Sequence, residues 1–330
     1  MRTFEEHFRE ICVGALVTRR SSELFSGPPR IGGVEILMRS EIDVLTPTSI
    51  EEALDLLHQH QTAVKIIAGG SDVIVQLRDG IIETNRLLNL LSLKELRYIK
   101  KIGNEIHVGA LSTYSDINDS AEIKNHAWIL RDAAKQIGAI QLQNTATIGG
   151  NLGNASPAGD TLPPLYALNA TVVTRSRSGR WSTPIDEFFT GYRKTSLKPD
   201  ELIEEIYFGA LKSEDAGAYL KLGLREANAI SIVDVAVVLL RKLEKHKFGD
   251  VRVALGAVAP TIVRAHKCEA ALIDRSLTEE DLLAASRLAV EEAAPISDIR
   301  ASAEYRRNVI VSCVYQALYQ ALFERVNSHD

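Results

Sequence analysis

The feature that most limits how this chain can fold is a short apolar run, Ala63-Val64-Lys65-Ile66-Ile67-Ala68, that breaks off into Gly69-Gly70-Ser71-Asp72. The run reads as a buried strand, and Asp72 opens a helical stretch through Arg78, so strand, glycine turn and helix start follow one another. Glycine leaves backbone amides bare and open to close approach. Successive N–H groups can then form a concave nest for phosphate oxygens, with the Ser71 hydroxyl as a further donor. A tight strand-to-helix turn is the plainer explanation of the same residues. The segment holds neither GxGxxG nor GxxxxGK[ST], so a Rossmann or P-loop site is unsupported.

A second glycine segment lies downstream: Thr147-Ile148-Gly149-Gly150-Asn151, continuing Leu152-Gly153-Asn154-Ala155-Ser156-Pro157-Ala158-Gly159-Asp160. Residues 147–164 hold four glycines, three prolines and no charge but Asp160. That is too long and too apolar for an ordinary solvated loop, and the reading is a bare-backbone loop against which something packs. With the first segment, its Thr, Asn, Ser and single carboxylate suit a flat heteroaromatic ligand carrying ribityl hydroxyls and a diphosphate. A crossing point of tightly packed backbone is the alternative.

The remaining pattern is mixed helix and strand. Regular structure begins at 40–45, and Ser49 with Glu52 forms a capping box for a helix to about His58. Residues 96–101 and 105–110 flank Ile102-Gly103-Asn104 as a hairpin, and 126–137 is helical by spacing. Strands follow at 171–175 and 201–208. A polar stretch at 209–217 marks a domain boundary. Beyond it come three strands at 218–224, 232–240 and 251–258, with a turn at 245–249, then helices at 262–273, 278–293 and about 302–326. Residues 1–37 are dense in breakers (Ser21-Ser22, Gly27-Pro28-Pro29, Gly32-Gly33) and read as a loosely docked extension. Met38, the second of two methionines, offers an alternative start that would leave ligand binding intact.

Composition removes whole classes of function. With 330 residues, 45% hydrophobic and 25% charged, the chain can bury a sizeable core and is not disordered. No apolar run approaches the roughly 20 residues that a bilayer crossing needs. A net charge of -5 gives no general attraction to nucleic acid or anionic lipid. Cys12, Cys268 and Cys313 are far apart, too few and too scattered for a disulfide framework, a zinc site or an iron–sulfur centre, and a reducing cytoplasm is the expected location. Glu5, Glu6 and Glu10 argue against a signal peptide or a mitochondrial presequence. The histidines form no HxxxH pair, and His58 and His60, two apart on a presumed helix end, do not point to metal binding. Ser71 and Ser156 have no visible His–Asp company. A solvated helix face is the plainest reading of Arg300, Arg306 and Arg307, and core packing that of Cys268 and Cys313.

The segments AGGSD (68–72) and TIGGN (147–151), followed by NASPAGD, resemble the FAD-binding medium subunit of molybdenum hydroxylases, the group of xanthine, carbon monoxide and related aldehyde-type dehydrogenases. Leu224-Arg225-Glu226-Ala227 with Asp234, Gly256-Ala257-Val258-Ala259-Pro260-Thr261, and 295–307 fit as well, over roughly 38–327. The resemblance implies an α+β fold: a two-lobed FAD-binding domain of the p-cresol methylhydroxylase (PCMH) type at 38–213, with lobes of about 38–95 and 96–213. A C-terminal α+β domain with a three-stranded antiparallel sheet would follow at 214–330. It implies FAD as cofactor, contacted by Lys65, Ile66, Ile67, Ala68, Gly69, Gly70, Ser71 and Asp72, then by Thr147, Ile148, Gly149, Gly150, Asn151 and Asp160. Ile137, Ile203 and Lys221 align as further contacts; core packing accounts for the two isoleucines about as well, and a solvated strand lysine for Lys221.

The implied role is an electron outlet with no acid–base catalyst of its own. A partner chain would carry the [2Fe–2S] clusters and a large subunit the molybdopterin, and electrons would leave through FAD to NAD+ or another acceptor. The rivals are a self-contained flavin oxidoreductase of the same fold and a scaffold that has lost its cofactor.

Overall fold

The computed structural model describes residues 42–241, 247–275 and 277–324, together with the backbone of 30–31 and 34–35. The chain divides into Met1–Glu41 and Ile42–Asp330. In the first unit Arg30–Ile31 and Val34–Glu35 pair as an antiparallel hairpin. The rest of the expected extension, with Cys12 and Met38, lies outside the described residues.

The second unit begins with a sheet whose pairing is parallel, which requires long crossovers. Strands β1 (Asp43–Leu45), β2 (Lys65–Ile67) and β3 (Arg86–Asn89) lie in the order β1-β3-β2. Helix α1 (Ile50–His60) leads from β1 to β2, and α2 (Val73–Arg78) from β2 to β3. Ile50, Ala53, Leu54 and Leu57 recur at helical spacing and are the residues α1 buries. Ser49 caps α1 as expected, accepting the Glu52 amide at 3.1 Å. The capping box is shifted by one residue, because the Glu52 carboxylate takes the Thr48 amide (2.7 Å) and hydroxyl (2.8 Å) rather than the Ser49 amide.

The next sheet is antiparallel, five strands in the order β4-β5-β8-β6-β7. These are β4 (Ile99–Ile102), β5 (Glu105–Gly109), β6 (Thr171–Ser176), β7 (Gly179–Pro184) and β8 (Leu202–Gly209). The expected hairpin is β4–β5, closed at Ile102 and Glu105. Edge strand β7 has no sequence signature, since almost every residue in it is exposed and nothing alternates. Helices α3 (Tyr114–Asp119), α4 (Ala121–His126), α5 (Trp128–Lys135), α7 (Ile148–Asn154) and α8 (Leu162–Ala167) share its core, which contains Ile106, Val108, Ile117, Ile129, Leu152, Val172 and Ile206, while α6 (Ile140–Thr145) leaves its Ile140 and Leu142 exposed. The helix expected over 126–137 is α5, shorter at both ends; His126 ends α4, and Ala127, whose φ of -155° is not helical, separates the two. The loop expected over 147–164 is also corrected: it is α7, a turn, and α8.

The last sheet keeps the three expected strands, β9 (Ala216–Gly223), β10 (Ser231–Arg241) and β11 (Phe248–Gly256), and adds a two-residue fourth, β12 (Val263–Arg264). The turn expected at 245–249 lies partly outside the described residues. Helices α9 (His266–Leu272), α10 (Glu279–Leu288) and α11 (Ala303–Tyr319) follow; a π-helical turn, Gln320–Glu324, succeeds α11. Val233, Val235, Val237 and Leu239 of β10 pack with these helices, while Ala236 and Val238 pack with the core under the five-stranded sheet. Burial on both faces is why β10 is a continuous apolar run and not an alternating one. Arg306 is not on a solvated face: it is buried, and donates to the carbonyls of Ile232 (3.0 Å) and Ala257 (2.7 Å) and to Asp298 (2.8 Å). Cys268 and Cys313 are buried in this last core, and burial pushes their thiols up to about 12 and about 11.

Candidate functional site

The chain leaves β2 at Ile67 and reaches α2 at Val73 through the first glycine segment. Gly69 lies so close to the Thr145 carbonyl that a Cβ there would overlap it. Gly70 has φ +73°, a conformation that glycine adopts without steric cost, and a Cβ there would meet only Ile67 and Ile74 side chains. The Ile74 amide donates to the Gly70 carbonyl (3.1 Å) and that of Gln76 to the Asp72 carbonyl (2.9 Å). The amides of Gly69, Gly70, Ser71 and Asp72, and the Ser71 hydroxyl, have no partner among the described residues. Of the other residues in this stretch, Lys65 is exposed, Ile66 and Ala68 are half-buried against the α1 core, and Ile67 is buried.

The second segment is built differently. Thr147 is the N-cap of α7, its hydroxyl accepting the Gly150 amide at 3.1 Å. The Ile148 and Gly149 amides donate to the carbonyls of Ser112 (3.0 Å) and Ala110 (2.9 Å), and the Asn151 amide to Thr147 O (3.0 Å). Gly149 is buried against Ala110, whose Cβ and O would each lie 2.7 Å from an added Cβ. Gly150 is exposed, and an added Cβ would meet only Thr147 Oγ1. The segment expected to be bare backbone therefore has its amides occupied.

Side chains tie the two segments together at Asn154, the last residue of α7. Its Nδ2 donates to Asp72 (3.0 Å), and its Oδ1 accepts from Gln76 Nε2 (2.9 Å) and from Arg193 (3.1 Å). Burial raises the Asp72 carboxyl, and the Arg193 charge and the Asn154 hydrogen bond pull it back.

Asp160 lies deeper. Its two oxygens accept from Lys221 Nζ and Ser231 Oγ, each at 2.6 Å, and Lys221 also donates to the Gln136 carbonyl at 3.0 Å. Lys221 is therefore a nearly buried counter-ion and not a solvated strand lysine. Burial raises Asp160, opposed by the Lys221 charge and by its hydrogen bonds. Asp234, opposite Lys221 in the β9–β10 register, is fully buried; it accepts from Tyr219 at 3.3 Å, and its Oδ1 has no partner among the described residues. Burial, and then the Asp160 charge, hold its carboxyl well above the usual range, in the direction of a neutral acid.

Thr161 joins this floor to α7, donating to Asn151 Oδ1 at 2.9 Å. Ile137 adjoins Gln136 and packs half-buried against the core, its carbonyl accepting from Gln143 at 3.0 Å. Ile203 is buried in the same core, 3.9 Å from where a Cβ on Gly153 would sit. The expected site residues thus form one connected region with two poles. At one pole are the free amides of 69–72; at the other is the Asp160–Lys221 pair. Asn154, Gln76, Arg193, Ser231, Tyr219 and Asp234 belong to this region without having been expected in it. Asn154 stood in a quoted motif, while Arg193 and Tyr219 carried no local signal.

A run of free donors, near a helix capped by Thr147 and a buried ion pair, could hold an extended, anionic cofactor. Comparison with known proteins specifies the class. Residues 40–209 match the family described as the FAD binding domain in molybdopterin dehydrogenase, and 218–321 match the CO dehydrogenase flavoprotein C-terminal domain. The chain belongs to this family: it is an α+β flavoprotein of the dehydrogenases, its FAD-binding part followed by a C-terminal part, and FAD is its cofactor. Among its relatives, the nicotinate dehydrogenase FAD-subunit of Eubacterium barkeri is 36% identical over 58% of this chain and 67% of that protein. The carbon monoxide dehydrogenase medium chain of Hydrogenophaga pseudoflava is 30% identical over 83% of this chain and 95% of its own length. A solved structure of carbon monoxide dehydrogenase from H. pseudoflava, in a form lacking the Mo-pyranopterin moiety of the molybdenum cofactor, superposes with a TM-score of 0.83 at 29% identity, covering 88% of this chain and 99% of that one. No helix among the described residues is long and apolar enough to cross a membrane.

Proposed function

We propose that FAD lies along this region with its diphosphate on the amides of Gly69, Gly70, Ser71 and Asp72. The chain would then act as the electron outlet of a molybdenum hydroxylase complex. The observation that carries this reading is the set of four consecutive amides without a partner on a loop stripped of side chains, whose donor chemistry matches phosphate oxygens. Gly150 supports it, since the space beside it is open but for the Thr147 hydroxyl.

When bound, FAD accepts electrons one at a time and can release them as a hydride, so it joins one-electron to two-electron chemistry. The residues of this chain hold and orient it. The loop amides take the diphosphate, Gly150 and Asn151 form the adjoining wall, and Lys221, fixed by Asp160 and the Gln136 carbonyl, presents a positive charge beside Ile137. Ile203 backs α7 from below. The chain provides no acid–base catalyst. Electrons would arrive from the [2Fe–2S] clusters of a small subunit, fed in turn by a molybdopterin-binding large subunit, and leave to NAD+ or another acceptor in the cytoplasm. The domain division that goes with this role is 38–213, in lobes of about 38–95 and 96–213, for the flavin, and 214–330 for the C-terminal domain.

Gly70→Val and Gly150→Val test the reading. Each should abolish FAD retention by the purified full-length chain, read from its visible spectrum, with folding checked by circular dichroism. Two folded, yellow variants would discredit the site.

A further inference from the structure

The diphosphate reading leaves an electrostatic problem at the end of the loop. Asp72 carries a carboxylate on the last of the four free-amide residues, where it would repel a diphosphate. The group placed to offset it is Arg193. This residue sits at the tip of a small hairpin in which Phe189–Gly191 pairs with Lys194–Thr195, anchored below by the buried Phe188 and Phe189. Its φ of +52° lies in the left-handed region, which a non-glycine residue enters only when its surroundings hold it there. The guanidinium donates to Asn154 Oδ1, while Asn154 Nδ2 donates to Asp72, so one amide spaces the cation from the anion. No carboxylate of a described residue lies within ion-pair distance of Arg193, whose charge nonetheless acts on Asp72. The result is a cation held by a neutral amide and lying 5.9 Å from the centroid of the Tyr192 ring, beside uncommitted N–H donors.

We propose that Arg193 is the counter-charge that lets the Gly69–Asp72 loop accept the diphosphate of FAD, with Asn154 as the residue that positions it. This rests on the diphosphate reading of the loop. Three segments far apart in sequence thereby set the affinity of the site together: the glycine loop, the end of α7 and the 189–195 hairpin.

The test is FAD titration of the flavin-free full-length chain by fluorescence quenching at low and high salt. Arg193→Gln should weaken binding about 10- to 100-fold, the range for losing a charge-assisted contact to phosphate, and flatten its salt dependence. Arg193→Lys keeps the charge and should stay within about fivefold of the parent. In Asp72→Asn/Arg193→Gln the local charge is again balanced, and most of the lost affinity should return. A purely structural part for Arg193 would give no such recovery. Unchanged affinity in Arg193→Gln, equal losses in the Gln and Lys variants, or no recovery in the double variant would each overturn the proposal. Gly70→Val separates this from the reading beneath it. If Gly70→Val abolishes binding while Arg193→Gln does not weaken it, only the counter-charge fails; if Gly70→Val binds FAD normally, the loop reading fails.

Discussion

The chain uses the same dipeptide, Gly-Gly, in two neighbouring segments and to opposite ends. In each pair the first glycine serves chain packing: Gly69 against the Thr145 carbonyl, Gly149 against Ala110. The second glycine of each pair is clear of backbone from other elements. The amides diverge completely. Those of 69–72 have no partner among the described residues, whereas those of 148–151 are occupied by the Ala110 and Ser112 carbonyls and by Thr147. A glycine pair therefore signals close approach of backbone but does not by itself signal a nest. What decides is whether a neighbouring strand or cap has already taken the donors.

The largest effect expected from probing this comparison falls on stability. Gly69→Ala and Gly149→Ala force a Cβ onto backbone, and in Gly149 the added atom would sit 2.7 Å from Ala110 O. Overpacking of this kind costs about 3 kcal/mol, more than the roughly 0.5–1 kcal/mol that alanine returns inside a helix. Both variants should melt well below the parent. Parent-like melting would mean that the first glycine of each pair does not serve packing.

A smaller effect is expected from the floor the two segments share. Asp234 has its folded-state pKa raised, so between the ordinary carboxylate value near ~3.9 and that raised value the folded chain holds a proton that the unfolded chain has lost. Its contribution to stability is therefore present at low pH and declines as pH rises through this window, by at most about 1.4 kcal/mol per pH unit. Asp160, raised in the same direction, adds to the slope. Asp234→Asn mimics the neutral acid and should remove the larger part of that decline in denaturant unfolding followed from pH 4 to 8. FAD affinity should change by less than about threefold, under 1 kcal/mol. A parent-like pH slope in Asp234→Asn would show that this carboxyl is not protonated in the folded chain.

How far these regions could be seen in the sequence follows from the distance over which their signals act. The strand, turn and helix at 63–78 were legible because a β-branched run, a glycine pair and a helix-starting Asp stand consecutively. Helix α7 was not, because Gly149, Gly150 and Asn151 are poor helix formers and masked the one local cue, the Thr147 cap. Lys221 was reached only through family resemblance, Asp160 also as the one carboxylate of its segment, and their pairing across 61 residues is something no spacing encodes. Asp234 faces Lys221 through strand register alone. Arg306 shows the same limit: charged side chains are rarely buried, and the Ile232 and Ala257 carbonyls that compensate it are distant in sequence.

The central claim is that the donors of 69–72 are kept for FAD while those of 148–151 are consumed by the fold. Amide hydrogen exchange of the full-length chain, with and without FAD, tests it most directly. The account predicts fast exchange at 69–72 in the flavin-free chain, slowed by FAD, and slow exchange at 148–151 in both states. Loop amides that are protected without FAD, or that stay fast when FAD is bound while 148–151 become protected, would contradict it.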